Sequence, residues 1–379
     1  LSDLALEVEL ETSAGPVAAN GRFDLSGTAP RFVLEGDIAD FRLDRLIDGL
    51  EETSLTGRFA IESAESDSGT VVRADLDEGR VGLVDLYRGV ARLRIDDGLA
   101  QIDSFYVTAA VGRLEAMGTL GVSGGRHGEV EVIAQIDSLA TLRQRLFGET
   151  AFATEDTLAG RIGGAAFVRA SLRGARDDLA VDGEARFDEL VYQAFEVGRA
   201  DLRFAANGVG TDRLQARWRA DASGAGVYGR PLDSVHASME YDPEGGRVEF
   251  EARGAAPVIA DYRFESGFRR VDGAIELDLR EVRIRDWMGD WRLSEPTLAR
   301  LGSDGFVVDD MLLVRNDAEG QIRAMGRIPW RDQDAAGEEP VRTASFRLDA
   351  ERVPLMPLRF EEADAGPSAI LSGSLVVSG

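Results

Sequence analysis

A short glycine-rich segment comes nearest to a catalytic pattern. Residues 121–125 (GVSGG) match the G-x-S-x-G spacing of a nucleophile elbow, in which a serine attacks an acyl carbon, and His127 follows closely. An elbow needs a strand before the serine and a helix after it. Residues 129–136 instead alternate apolar and polar side chains, which predicts a second strand. We therefore interpret the segment as a hairpin turn without a catalytic role.

Candidate metal ligands and phosphate-binding loops are equally scarce. The chain has no cysteine and only two histidines, His127 and His236, so the usual zinc sites are not expected. The 68 acidic residues form clusters such as Asp309-Asp310, but none has the ligand spacing of a calcium loop. A glycosidase carboxylate pair has no sequence signature, and solvated turns explain these clusters more simply. Residues 160–164 (GRIGG) lack the Lys-Ser/Thr and helix of a phosphate loop. We predict no enzymatic activity, no metal and no cofactor.

The charge of the chain argues against some classes of binding partner. The formal net charge is −25, and every basic residue other than histidine is arginine because the sequence contains no lysine. Binding to phosphate backbones needs a basic surface, so no nucleic acid partner is expected. An anionic membrane surface would also repel the chain. Charges mostly alternate with apolar residues, as in residues 92–95 (RLRI), which predicts a solvated sheet face with cross-strand ion pairs.

Alternation with a period of two dominates the chain. In residues 79–107 and 179–206, apolar side chains recur mostly at every second position between Asp/Gly turns. The whole sequence predicts about 24 short strands, and hence an all-β, mostly antiparallel sheet that is wet on one side. The apolar positions change phase between Leu279 and Val282, which predicts a bulge or a tight turn there.

Helices are predicted to be few and short. Residues 41–50 (FRLDRLIDGL) have apolar residues at helical spacing after Asp40, and residues 139–147 have them after Asp137-Ser138. The third equivalent position, residues 352–358, contains two prolines, so an ordinary helix is not expected there.

These three segments indicate a repeated cassette. Each follows a strand that ends near an Asp and precedes a glycine-bearing strand, so we divide the elongated repeat region into cassettes at about 31–128, 129–344 and 345–379, the last truncated. The chain has neither an apolar run of about 18 residues nor a basic leader. Because Leu1 already belongs to an alternating strand, we expect the sequence to be an internal piece of a longer protein.

The cassette of strand, short apolar helix, Leu-x-Gly strand and meander resembles the TamB and AsmA-like proteins, the translocation and assembly module group of the bacterial envelope. A second block is similar to the Trp-x-Leu-x-x-Pro motif of TamB repeats. It consists of residues 291–298 (WRLSEPTL), followed by predicted strands at 307–314 and 321–328. The resemblance covers nearly all of the chain. It implies an elongated β-taco, a U-shaped sheet, in the periplasm, with an inner-membrane anchor outside this piece. It also implies an apolar groove that carries phospholipid tails between the inner and outer membranes.

We expect apolar residues of the alternating strands to line such a groove. Facing sheet walls normally interdigitate, so an open groove needs splayed walls or small inward residues, such as Ala252, Ala324 and Gly326. For any single residue, ordinary core packing is the alternative. The candidate lining residues are Leu4, Leu6, Val8, Leu93, Ile95, Leu202, Phe204, Val248, Phe250, Ile275, Leu277, Leu279, Ile322 and Ile328.

Other functions are compatible with the same pattern. One is outer-membrane protein assembly, in which an exposed sheet edge pairs with a nascent strand and the partner is an outer-membrane barrel of the assembly-factor type. Another is a structural β-solenoid stalk with a packed interior. An enzymatic parallel β-helix fits less well, because its coils need wider and more regular periods. Lipid that co-purifies with the protein would distinguish a conduit from a stalk.

Overall fold

The structure is a computed structural model of the chain, and nearly all of its described residues lie in β-strands. It describes residues 3–26, 31–45, 51–63, 69–121, 126–147, 162–175, 178–192, 195–227, 230–254, 260–271, 273–286, 288–302, 305–329, 344–355 and 369–378. Twenty-three strands are assigned to one sheet, and the pairing is antiparallel apart from a single parallel bridge between Ala175 and Gly121. The predicted all-β, antiparallel fold class is confirmed.

The strands fall into two compact units, Leu1–Asp212 and Arg213–Gly379, called unit 1 and unit 2. Unit 1 contains β1 (Asp3–Thr12), β2 (Gly15–Asp24), β3 (Arg31–Phe41), β4 (Thr53–Ser63), β5 (Thr70–Val81), β6 (Val84–Asp96), β7 (Leu99–Ala109), β8 (Gly112–Gly121), β9 (Gly128–Ile136), β10 (Ile162–Ala175), β11 (Asp178–Tyr192) and β12 (Phe195–Val209). Each of these strands pairs with the next one along the chain.

Unit 2 contains β13 (Gln215–Val227), β14 (Arg230–Asp242), β15 (Gly245–Gly254), β16 (Asp261–Val271), β17 (Ala274–Asp286), β18 (Gly289–Leu293), β19 (Thr297–Gly302), β20 (Gly305–Arg315), β21 (Gln321–Ile328), β22 (Ser345–Leu355) and β23 (Ala369–Ser378). The short strands β18 and β19 both lie between β17 and β20. They are separated by Ser294-Glu295-Pro296, and proline has no N–H to donate to a ladder.

The two predicted helices have different outcomes. The prediction at residues 139–147 is confirmed by helix α1 (Leu139–Phe147), where Thr141 N donates to the Ser138 hydroxyl at the helix start (3.2 Å). The helix predicted at residues 41–50 is wrong at its start: Phe41 ends β3, and the described part contains only a 3-10 turn, Leu43–Arg45. Residues 46–50 lie outside the described residues.

A tether explains this 3-10 turn. Asp40, one residue before the end of β3, adopts a positive φ of 51° within the register shift between Ile38 and Phe41. The Asp44 carboxylate then accepts hydrogen bonds from Arg42 (2.9 Å) and from the backbone N–H of Thr53 at the start of β4 (2.8 Å). The turn is therefore fixed to the start of the next strand.

The change of phase after Leu279 is confirmed as a bulge. Glu265 pairs with Glu281 and Ser266 pairs with Leu279, so Arg280 is the extra residue in β17. β17 continues through the bulge to Asp286, so the change of phase is not a tight turn between two strands.

One set of strand ends in unit 1 is tied together, and we call it the tied end. Backbone hydrogen bonds link Arg42 N to Ala14 O (2.5 Å), Gly82 N to Glu52 O (2.7 Å), Ala110 N to Asp85 O (2.9 Å) and Asp137 N to Val111 O (3.0 Å). Helix α1 lies against β6 and β10. Helix α1 and the 3-10 turn therefore lie at this end of the strands of unit 1.

Unit 2 contains a packed cluster around Trp291. The indole is 2% exposed and packs with Leu313 and Val353, and the half-buried Val282 and Ile284 surround them. This tryptophan opens the Trp-x-Leu-x-x-Pro block of the sequence. The block therefore supplies a core anchor to the strands on either side of β18.

Candidate functional site

Strand register sorts the alternating side chains into two faces in each unit, because directly paired residues point to the same side of a sheet. In unit 1, one row of paired residues runs through all twelve strands and is entirely apolar or glycine. The row is Leu6, Gly21, Leu34, Ile61, Val72, Leu93, Ile102, Gly118, Val130, Leu172, Val181 and Ala206. We call the face that carries this row the apolar face of unit 1.

Unit 2 has an apolar face of its own. A row of directly paired residues crosses it from β13 to β23, passing through β19. The row is Ala216, Tyr241, Gly246, Phe268, Leu277, Ala299, Val308, Gly326, Phe346 and Val377.

The register places the predicted lining residues on these faces. In unit 1 they are Leu4, Leu6, Leu93, Ile95, Leu202 and Phe204; in unit 2 they are Val248, Phe250, Ile275, Leu277, Leu279, Ile322 and Ile328. Val8 pairs with Ala19 in the same strand pair as Leu6, but its side chain lies outside the described part. The sequence pattern thus brought together residues that share a face within each unit.

These residues are not packed into a solid core. Leu4, at 48% exposure, and Ile275, at 43%, are open to solvent, as are Leu6, Ile95 and Ile328. Leu279 is buried, and the remaining described members are half-buried.

Alanine is the commonest of the fully buried residues in the described part of the chain. Most of the buried apolar residues are alanine, including the inward positions Ala252 (1% exposed) and Ala324 (4%). No phenylalanine among the described residues is buried, although phenylalanine is one of the residues that packed cores bury most often. Each apolar face therefore retains accessible area on its larger side chains.

The opposite face of the strands in each unit, the polar face, carries ordered ion pairs. In unit 1, Arg173 donates to Glu129 (2.8 Å) and Ser171 donates to the same carboxylate (2.9 Å), which lowers the pKa of Glu129. In unit 2, Arg323 forms a bidentate pair with Asp310 and lowers its pKa. These contacts match the predicted solvated face with cross-strand pairs.

A shallow depression of about 660 Å³ lies on the polar side of unit 1. Its lining includes His127, Glu129, Arg173, Asp178 and Asn207. Because Arg173 is already paired with Glu129 and Asp182, we assign the charges of this depression to sheet stabilisation.

The sequence candidates for catalysis have ordinary positions. β8 and β9 form an antiparallel pair on either side of the G-x-S-x-G segment, so a strand follows it, as predicted; residues 122–125 lie outside the described residues. His236 lies on the polar face of β14 with Nδ1 2.6 Å from the Asp221 carboxylate. Within the described ranges, no group of three or more His, Asp or Glu side chains is arranged to hold a metal ion.

The sequence reasoning missed a set of glycine–phenylalanine pairs on the apolar faces. Phe59 and Phe268 were not proposed as lining residues, yet they lie on these faces opposite Gly36 and Gly246. A signal was present, since Gly36 and Gly183 continue the period-two apolar pattern of their strands.

Comparison of the chain with protein-family models, curated proteins and solved structures gave no match in any of the three. In the part of the chain that the structure describes, no helix has the length and apolar character needed to cross a membrane.

Proposed function

We propose that the chain is a non-enzymatic carrier of lipid acyl chains, which lie on the apolar face of each unit. The observation that carries this proposal is the unbroken apolar row of paired residues, most of whose larger side chains are half-buried or exposed. Each methylene group removed from water contributes about 0.8 kcal/mol. An acyl chain on such a row would cover apolar area that the protein leaves exposed.

The accessible phenylalanines favour a carrier over a structural stalk. A stalk with a packed interior would bury its largest apolar side chains at the density of a protein core. In the described residues, most of the fully buried apolar side chains are instead alanine, while Phe204 and Phe250 stay half-buried.

The cellular part of the proposal rests on the cassette resemblance. We propose that the chain is a periplasmic segment of a TamB or AsmA-like protein, anchored in the bacterial inner membrane by a segment outside this piece. Its cargo would be phospholipid that moves between the inner and outer membranes. In unit 1, headgroups would lie at the strand ends opposite the tied end, because α1 and the 3-10 turn occupy the tied end.

The test compares charge substitutions on the two faces. Phe204→Asp in unit 1 and Phe250→Asp or Leu277→Asp in unit 2 place a carboxylate on an apolar face. Desolvating a charged group costs more than about 2 kcal/mol, so phospholipid bound to the purified full-length protein should fall more than about tenfold. The readout is mass spectrometry of organic extracts.

Thr108→Asp is the matched control. Thr108 lies on the polar face of unit 1, paired with Arg88 on one side and Arg113 on the other, so a carboxylate is tolerated there. The control should retain wild-type lipid. Equal phospholipid in the wild type and the apolar-face variants would contradict the proposal.

A further inference from the structure

Among the described residues of the apolar faces, three phenylalanines place their ring against a glycine directly opposite on the neighbouring strand. The pairs are Gly36–Phe59 between β3 and β4, Gly183–Phe204 between β11 and β12, and Gly246–Phe268 between β15 and β16. In each pair the aromatic ring occupies the space that a glycine Cβ would need. A Cβ at Gly183 would lie 2.8 Å from Phe204 Cζ, and a Cβ at Gly36 would lie 2.8 Å from Phe59 Cζ. Phe346 also lies opposite a glycine, Gly326, but the Phe346 atom nearest to a Cβ there is its backbone Cα.

The absence of a Cβ lets each ring lie over the neighbouring backbone. One side of the ring contacts the glycine, so the ring extends from the sheet by about one van der Waals separation, 3.5–4.0 Å. Phe59, Phe204 and Phe268 are all half-buried, so each ring is covered by its neighbours but keeps accessible area. A side chain at the glycine position would push the ring away from the sheet and into the space above the apolar face.

We propose that these three glycine–phenylalanine pairs determine how much space an acyl chain has above the apolar face of each unit. Each ring is a flat contact surface for an acyl chain, and the glycine opposite it lets the ring lie close against the sheet. This inference rests on the proposed lipid-carrying function and assigns the residues that determine whether a chain can pass. The glycines act through the rings and are positioning residues.

The glycines also allow a close approach of the backbone, which the test must separate from ring placement. A Cβ at Gly183 would lie 2.5 Å from Arg169 O as well as 2.8 Å from the Phe204 ring. Gly183→Ala therefore has two possible defects. A second substitution at Phe204 relieves only the one that involves the ring.

The experiment measures binding of a phosphatidylethanolamine analogue, fluorescent on one acyl chain, to the purified full-length protein. Gly183→Ala should bind the probe about fivefold more weakly or worse, since overpacking by a methyl group displaces the ring into the space above the apolar face. Gly183→Ala combined with Phe204→Leu should recover binding to within about twofold of Phe204→Leu alone. Circular dichroism of each variant reports folding.

Gly267→Ala is the control on the same strand as Phe268. Gly267 lies on the polar face, and the nearest atoms to a Cβ there belong to the side chains of Arg280 (3.1 Å) and Asp278 (3.6 Å). This variant should bind the probe as the wild type does.

Each remaining outcome decides the question. Failure of the wild type to bind the probe would overturn the proposed function, and this inference with it. A folded Gly183→Ala that binds like the wild type would overturn the inference alone. If Gly183→Ala loses binding and the added Phe204→Leu does not restore it, the glycine serves only the backbone approach, and the inference is again wrong.

Discussion

Trp291 is the largest buried side chain in the part of the chain that the structure describes. Its indole Nε1 donates to Met288 O (2.9 Å), so its one polar atom is satisfied within the cluster. Trp291→Ala should lower the free energy of unfolding of unit 2 by about 3–5 kcal/mol, measured by urea denaturation. Trp218 is half-buried on the apolar face of unit 2, so Trp218→Ala should lower the free energy of unfolding by less. Equal losses would contradict the assignment of Trp291 as the core anchor.

Asp44 joins the 3-10 turn of unit 1 to β4. Hydrogen bonds from Arg42 and from Thr53 favour its ionised form and hold the pKa of Asp44 well below its ordinary value. A lowered pKa contributes stability above the pKa of an unfolded Asp, about 3.9, and that contribution is lost as the pH falls towards the folded value.

Asp44→Asn should therefore be less stable than the wild type near neutral pH. It should also lose less stability between about pH 5 and about pH 3, because asparagine does not titrate. Urea midpoints measured across this range provide the test. Asp37→Asn, at an exposed position on the polar face of β3, is the control and should keep the wild-type dependence on pH. An unchanged acid dependence in Asp44→Asn would contradict the role of this tether.

The bulge at Arg280 decides which face the last part of β17 presents. Val282 and Ile284 reach the apolar face only because Arg280 adds one residue to the strand. Deleting Arg280 should turn both side chains to the polar face and disrupt the Trp291 cluster. The expected loss is about 3–6 kcal/mol, estimated from the burial of two aliphatic side chains.

Arg280→Ala keeps the extra residue and loses the ion pairs of an exposed arginine with Asp278 (2.9 Å) and Glu265 (3.9 Å), so it should cost about 1 kcal/mol or less. Tryptophan fluorescence and urea denaturation compare the two variants. A deletion variant as stable as Arg280→Ala would contradict the role of the bulge in setting the register.

The sequence predicts some elements well and others poorly, for local reasons. Helix α1 has a serine cap and apolar residues at helical spacing, and its predicted bounds are confirmed. The pattern at residues 41–50 is equally periodic, but the start of that segment is decided by the tether from Asp44 to Thr53, which lies nine residues away. Sequence periodicity contains no information about such a tertiary contact.

At the scale of the whole chain, period-two alternation was enough to predict the fold class and to select residues that share an apolar face. It could not identify Phe59 and Phe268 as members of the same set, because their role depends on the glycine opposite each ring. Which residues lie opposite one another is fixed by strand register, and bulges such as the one at Arg280 shift that register.

The most direct test of the lipid-carrying proposal is photocrosslinking in the full-length protein. A photoreactive phenylalanine analogue is placed at Phe204, Phe250 and Leu277 on the apolar faces, and at Thr108 and His236 on the polar faces as controls. We expect phospholipid adducts at all three apolar positions and none at the controls, detected by mass spectrometry. Absence of adducts at the apolar positions, or equal labelling of both faces, would contradict the account.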